Sequence, residues 1–288
     1  MAIGFFDGVH LGHQQIIRQT IGDAARHGAL SMVMTFDRHP AMVVAPQRAP
    51  QLIYPLAKKL AVIESLGVDA LYLVSFDRAF SETPGEPFVR NLCRDFARVQ
   101  SICVGGKFVF GHQRSGSVDL LKRLATELGY TVHALANVSV GGQPVSSTRI
   151  REAVRAGDLD AAGQLLGRAY SLSGRVVEGA KVGRKIGSPT ANLETTGLVL
   201  PPNGVYAARA LARGQGFRAA VNIGVRPTMP STAPAIQVEA HLLDFSGELY
   251  GESIELTLVE RLREEMKFES VNALQDQIAR DLAGVRGL

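Results

Sequence analysis

Gly4-Phe5-Phe6-Asp7-Gly8-Val9-His10-Leu11-Gly12-His13 decides how the first half of this chain is read. It follows a short apolar run and leads directly into an amphipathic segment, so it reads as a strand, a tight glycine turn and a helix start. Such a turn sets two imidazoles beside backbone N–H groups that lack intrahelical acceptors, a geometry suited to phosphate. His10 and His13 are therefore candidate catalytic residues. Gly12 fits beside them because a side chain there would keep the backbone away from a ligand. Two histidines three apart are also a common surface pattern at a helix start, and the flanking Phe-Asp-Gly-Val separates the two readings.

Working outward, the alternation continues. Strands are expected at 2–6, 29–36, 70–76, 99–104 and 131–135, with helices at 12–26, closed near Gly28, and at 56–66, 86–97 and 118–128. Helices crossing between buried apolar strands imply an α/β domain with a parallel, doubly wound sheet and a ligand at the carboxyl ends of its strands. The opening turn lies at such an end. Two short helices, 148–156 and 159–166, separated by Gly157-Asp158, carry the chain out of this domain. After Tyr170 the pattern changes to short alternating runs at 171–177, 204–212, 218–223, 236–243 and 253–259, which favour a small antiparallel β-barrel or sandwich. A last helix is expected over 271–282, where Ser270 is an N-cap and Leu274, Ile278 and Leu282 share a face. The domains expected are 1–168 and 169–288.

Composition bounds the class. The 288 residues, 46% hydrophobic and 20% charged, suffice to bury a sizeable core in two domains. No run of about 18 apolar residues occurs, and the N-terminus lacks the basic and apolar regions of a secretory signal, so a cytoplasmic protein without membrane association is expected. Cys93 and Cys103 have neither C-x-x-C spacing nor neighbouring metal ligands, which implies reduced thiols and neither a disulfide nor a zinc site. The isoelectric point near 9.2 reflects a net charge of only +4 with scattered lysines and arginines. Anionic small molecules account for that balance as well as nucleic acid does.

Other patches carry chemistry. Ser146-Ser147-Thr148-Arg149 puts hydroxyls at a helix start beside a cation, a grip for phosphates, although alone it would be an ordinary Ser/Thr cap. The glycine-rich segment 105–116 follows the fourth strand and opens at the same sheet edge. Phe108 and Phe110 are placed there to flank a flat ring, while each taken singly reads better as a core residue at a strand end. Lys107 precedes Phe rather than Ser or Thr, and no G-x-x-x-x-G-K-[ST] occurs, so any ATP is held by another device. Pro189-Thr190-Ala191-Asn192 reads as a rigid turn whose oxygens suit Mg²⁺, or simply as a hydrogen-bonded turn. Glu239 lies on a strand whose Val238 and Ala240 face the other side. Gly179, Gly183 and Gly187 allow a loop to close over phosphates with Lys181 and Arg184 as cationic partners, though glycine-rich turns are commonplace.

Taken in order and spacing, the Gly4–His13 motif, Gly105-x-x-Phe108-x-Phe110-Gly111 and Ser146-Ser147-Thr148-Arg149-Ile150-Arg151 resemble the adenylyltransferase module of the bacterial bifunctional riboflavin kinase/FMN adenylyltransferases, the FAD synthetases. Gly174-Arg175-Val176-Val177-Glu178-Gly179, residues 183–192, Asn222-Ile223-Gly224-Val225-Arg226-Pro227-Thr228, residues 238–245, Leu249-Tyr250-Gly251 and residues 263–268 resemble the riboflavin kinase module. The resemblance implies a HIGH-type, Rossmann-like nucleotidyltransferase domain followed by a β-barrel kinase domain with a C-terminal helix. It also implies phosphorylation of riboflavin to FMN and adenylylation of FMN to FAD, with ATP as co-substrate, Mg²⁺ as cofactor, and ADP and pyrophosphate released. In the first domain it assigns charge stabilisation at the α-phosphate to His10 and His13, nucleotide binding to Gly4, Phe6, Asp7, Gly12, Ser147, Thr148 and Arg149, and the flavin pocket to Lys107, Phe108, Phe110 and Arg114. In the second it makes Glu239 the base, Thr190 and Asn192 the Mg²⁺ contacts, and Gly179, Lys181, Gly183, Arg184, Gly187, Pro189, Asn222 and Arg263 the ATP and flavin contacts.

Four positions leave the family pattern: Phe5 replaces a usual Asn, Arg38 a usual Pro, Lys107 a usual Asp or Asn, and Ser188 a usual Phe. Two readings therefore stay open, the bifunctional enzyme and a riboflavin kinase whose altered first domain is a weak transferase or nucleotide-binding scaffold. An RNA-binding reading ranks far behind, for want of a clustered basic face. A monomer or weak homo-oligomer without a nucleic-acid partner is expected.

Overall fold

A computed structural model describes residues 1–96, 98–179, 188–225 and 236–287, in two compact units, Met1–Ser147 and Thr148–Leu288. The first unit has five parallel strands, β1 (Ala2–Ile3), β2 (Met32–Phe36), β3 (Ala70–Val74), β4 (Ser101–Gly105) and β5 (Thr131–Leu135), ordered β3-β2-β1-β4-β5. Helices α1 (Leu11–His27), α2 (Leu56–Glu64), α3 (Gly85–Asp95) and α4 (Val118–Leu128) lie in the crossovers. Alternation along the strands divides the core between the two faces of the sheet. Ile3, Met34, Ile102 and Val104 join one cluster with Val89, Leu121 and Leu124, and Ala2, Val33 and Cys103 join another with Ile17 and Ile63. Strand order reverses between β1 and β4, which makes the carboxyl end of β1 the switch point where a doubly wound sheet opens a ligand crevice.

β1 is shorter than the run 2–6 implies. Gly4 donates its N–H to Met34 O at 3.1 Å, but Phe6 then enters the left-handed region at φ 56°, and Asp7–Val9 form a 3-10 turn in which Val9 also has positive φ, 42°. A β-branched residue adopts that region only under tertiary constraint, and here Phe6 and Val9 are 2% and 0% exposed.

The second unit contains two helices, α5 (Ser147–Ala156, whose first residue closes the first unit) and α6 (Leu159–Leu166). A closed barrel follows, of β6 (Ser171–Val177), β7 (Ala191–Leu193), β8 (Gly204–Ala212), β9 (Gln215–Val225), β10 (Ile236–Leu242) and β11 (Ser253–Arg263), ordered β6-β7-β10-β9-β8-β11. Pairing of β6 with β11, Ser171 opposite Thr257, closes it and distinguishes it from a sandwich. Arg213 and Gly214, both with positive φ, make the two-residue turn between β8 and β9. Helix α7 (Val271–Arg286), capped by Ser270 accepting from Ala273 N, packs Val285 and Leu282 on the barrel beside Ala207 and Leu243. β7 occupies residues read from sequence as part of a turn. At three residues behind a proline it is too short to display alternation, and pairing with β6 and β10 on both sides holds it extended.

Candidate active sites

In the first unit, His10 is the N-cap of α1, and its Nδ1 accepts from His13 N at 3.3 Å. That bond brings the rings face to face, 3.6 Å between centroids and 17° between planes. Phe6 meets His13 edge-on at 5.3 Å. A Cβ on Gly12 would lie 3.2 Å from Cε1 of His10, so glycine is needed there for the imidazole stack as well as for access to the backbone. His13 Nδ1 is buried with no hydrogen-bond partner. Burial first, then the neighbouring His10 and Lys59, hold the His13 pKa well below the ordinary histidine value. His13 is thus neutral at pH 7, and an arriving polyphosphate is the charge that would favour its protonation.

The residues around the pair build the turn. Asp7, 4% exposed, accepts from Ile53 N at 3.0 and 3.2 Å, pinning the segment before α2. Ser147 donates its hydroxyl to Asp7 O at 3.1 Å, which ties the last residue of the first unit to the turn. Thr148 is exposed and Arg149 half-buried. Lys107 and Arg114 are exposed, Arg114 with positive φ, 61°. Phe108 and Phe110 stack on each other at 5.3 Å and pack against the core cluster, joined through Phe88 to Phe80, Phe76 and Phe36.

Lys59 is a residue that the sequence reading missed. It is 2% exposed, donating to Phe5 O at 3.1 Å, Thr35 Oγ1 at 3.2 Å and Phe36 O at 2.8 Å. Its ammonium lies 4.1 Å from the centre of the Phe5 ring, whose other neighbour is His39 at 4.7 Å. Phe5, one of the departures, therefore covers a buried cation. The available signal was a lysine on the same helical stripe as buried Val62 and Ile63. Another departure, Arg38, is ion-paired with Asp37 at 3.0 Å.

Burial lowers Lys59 to about 8, against the opposing pull of Asp7 and Asp37. Between pH 8 and its ordinary value of 10.5 the unfolded chain binds the proton that the folded chain has lost, so this group makes stability rise with pH, by up to about 3 kcal/mol. Lys59→Met is expected to remove that rise. Hydrogen-exchange protection of peptides from α1 and β2, followed from pH 7.5 to 10.5 in both proteins, checks it; an identical rise in the variant would disprove the assignment.

In the second unit, register gathers the side chains. Asn192 on β7 pairs with Glu239 on β10, and Glu239 pairs with Asn222 on β9, so three polar residues form one row across three strands. Val238 and Ala240, each 1% exposed, fill the barrel interior, and Glu239 points to the outside. There a cleft of about 350 Å³ lies under α7, lined by Ser188, Thr190, Asn222, Glu239, His241 and Arg263 among others. An adjoining cavity of about 250 Å³ is lined by Pro189, Thr190, Leu249 and Tyr250. Asn192 is buried beneath Gly179, where any Cβ would collide with its amide, and its Oδ1 has no hydrogen-bond partner. Arg263 lines the cleft, but its Nε and Nη2 grip Asp281 of α7 at 3.0 and 2.8 Å and its Nη1 donates to Glu264 O. The guanidinium thus holds a wall of the cleft. Lys181, Gly183, Arg184 and Gly187 lie outside the described residues.

Thr190 and Asn192 fit Mg²⁺ in chemistry. Both offer neutral oxygens, and the orphaned, buried Asn192 Oδ1 is an acceptor in want of a hard partner. Among the described residues no three His, Cys, Asp or Glu side chains gather to hold a metal, and no helix is long and apolar enough to cross a membrane.

Comparison with known proteins matches both units. The FAD synthetase family model covers residues 1–149 and the riboflavin kinase family model residues 166–288. The bifunctional riboflavin kinase/FMN adenylyltransferase of Pseudomonas fluorescens is 38% identical over 99% of this chain and 91% of its own. That of Escherichia coli (strain K12) is 37% identical over 98% and 90%. A crystal structure described as a macrolide-efflux protein from Streptococcus pneumoniae superposes with a TM-score of 0.83 at 30% identity, covering all of this chain and 93% of the other.

Proposed function

The chain belongs to the bifunctional riboflavin kinase/FMN adenylyltransferase family, enzymes of flavin cofactor synthesis that use ATP, and from that premise we propose how its residues divide the two reactions. In the first unit, FMN attacks the α-phosphorus of ATP: a phosphate oxygen of FMN forms the new P–O bond and pyrophosphate leaves. His10 and His13 carry the charge that develops on the α-phosphoryl oxygens, beside the N–H groups at the start of α1. Gly4, Phe6 and Asp7 hold the shape of the turn that receives the nucleotide, and Gly12 leaves room for it. Ser147, Thr148 and Arg149 receive the departing pyrophosphate, and Lys107, Phe108, Phe110 and Arg114 form the flavin side. The stacked His10–His13 pair at the switch point is the observation that carries this reading.

In the second unit the terminal ribityl hydroxyl of riboflavin attacks the γ-phosphorus of ATP, its proton passes to Glu239, and ADP leaves. Thr190 and Asn192 hold Mg²⁺, which when bound neutralises phosphate charge. Gly179 borders the phosphates, and Lys181, Gly183, Arg184 and Gly187, assigned with it to ATP, lie outside the described residues; Pro189 and Asn222 line the substrates, and Arg263 fixes α7 against them. The row Asn192–Glu239–Asn222 supports this assignment. The domains are taken as 1–168 and 169–288, with the riboflavin kinase family model beginning three residues before that division, at 166. The enzyme works in the cytoplasm on small molecules, as a monomer or weak homo-oligomer, without nucleic acid.

Purified protein given FMN, ATP and Mg²⁺ but no riboflavin is expected to release pyrophosphate and form FAD. FMN formation from riboflavin with no pyrophosphate release under either condition would leave the kinase alone and refute the first-unit assignment.

A further inference from the structure

His241 stands outside every role assigned above, yet it lines the cleft with Glu239 and Thr190. Along β10, Val238, Ala240 and Leu242 are 1%, 1% and 6% exposed, which turns Glu239 and His241 to the same outer face. Register pairs Asn192 with Glu239 and Ala191 with Ala240, so Thr190 comes next to His241 one step further along. The strand β7 begins only at Ala191, and Pro189-Thr190 lie beyond its first rung. His241 Nδ1 is 2.8 Å from Pro189 O. A carbonyl can only accept, so Nδ1 carries the hydrogen and donates it. Proline has no N–H and a fixed φ, which leaves this carbonyl as the backbone handle of residue 189 and makes its direction the setting for the peptide that leads into Thr190.

We propose that His241 is a positioning residue of the kinase site: by holding the Pro189 carbonyl it aims the Thr190 hydroxyl at the metal-nucleotide and ties that oxygen to the strand bearing Glu239. The inference rests on the assignment of Thr190 to Mg-ATP given above. A side chain acting through a ligand in this way typically changes metal affinity about 10- to 100-fold when removed. It leaves the acceptor hydroxyl and the base in place, so the effect falls on the nucleotide.

The test uses the full chain with His241→Phe, which keeps a ring without the donor, and His241→Asn, whose amide N–H₂ occupies the region of Nδ1. For His241→Phe the KM for Mg-ATP in riboflavin phosphorylation is expected to rise about tenfold, with the riboflavin KM and the adenylylation of supplied FMN unchanged. Calorimetric titration with ADP, with and without Mg²⁺, is expected to show a smaller gain from the metal in His241→Phe than in the parent, and recovery in His241→Asn. The first unit's nucleotide site contributes equally to all three proteins, and intact adenylylation reports that the variants fold. A parental Mg-ATP KM and a parental gain from Mg²⁺ in His241→Phe would overturn the proposal. So would equal losses of kcat in both variants at constant KM, which would place His241 in the chemistry itself. Thr190→Ala separates the layers. If it weakens Mg-ADP while His241→Phe does not, only the role of His241 fails; if it has no effect, the site assignment fails and takes His241 with it.

Discussion

Replacing His10 by Asn and His13 by Ala together is expected to lower FMN adenylylation about 10³-fold and to leave riboflavin phosphorylation within a factor of two. Asparagine at position 10 is chosen because it is among the best N-cap residues, so the capping bond that His10 makes to His13 N is replaced while the imidazole is lost. The two rings are 3.6 Å apart and nearly parallel, and His13 is held neutral by burial beside His10 and Lys59. A pair so close acts as one unit toward the phosphate, and the single variants should each cost nearly as much as the double. FAD and FMN formation measured on one preparation settle the matter. Loss of both activities together would mean that the variants damage the chain as a whole, and retention of FAD formation would remove the histidines from the chemistry.

The kinase half has the mirror-image expectation. Glu239→Gln keeps the size and hydrogen-bonding reach of the side chain but removes its basicity, so riboflavin phosphorylation should fall by about 10²- to 10³-fold while supplied FMN is adenylylated at the parental rate. Glutamate is placed for this by elementary strand geometry: its neighbours Val238 and Ala240 are buried in the barrel, and its cross-strand partners Asn192 and Asn222 are polar. Normal phosphorylation by Glu239→Gln would show that another group takes the proton.

Much of this arrangement is legible from local pattern. Helix α4 and strands β5, β6 and β8 fall on the residues expected from periodicity, because each combines a clear period with a glycine, serine or proline boundary. The stacked turn was legible as a turn, but the left-handed Phe6 and Val9 were not, since their conformation is imposed by burial rather than by preference. Lys59 was hidden because a lysine on a helix ordinarily reads as solvated; only three acceptors, two on β2 and one in the turn after β1, and an aromatic ring make its burial tolerable. His241 was open to reading as the residue two beyond Glu239 on an alternating strand, though its partner Pro189 is 52 positions away and no local rule reaches that far.

The way the barrel closes bears on how the chain is made. Strand β6 is the first of the barrel and β11 the last, and they are paired with each other, Ser171 opposite Thr257 and Arg175 opposite Ser253. A chain emerging from a ribosome at about 5–20 residues per second therefore has every strand of its parallel sheet by Leu135, whereas the barrel lacks its closing stave until Arg263. During that interval β6 presents an unpaired edge, the kind of surface that templates wrong pairings. The sheet of the first unit is thus complete well before the barrel, and the window between the two is the time at which this polypeptide offers an open barrel edge to wrong partners.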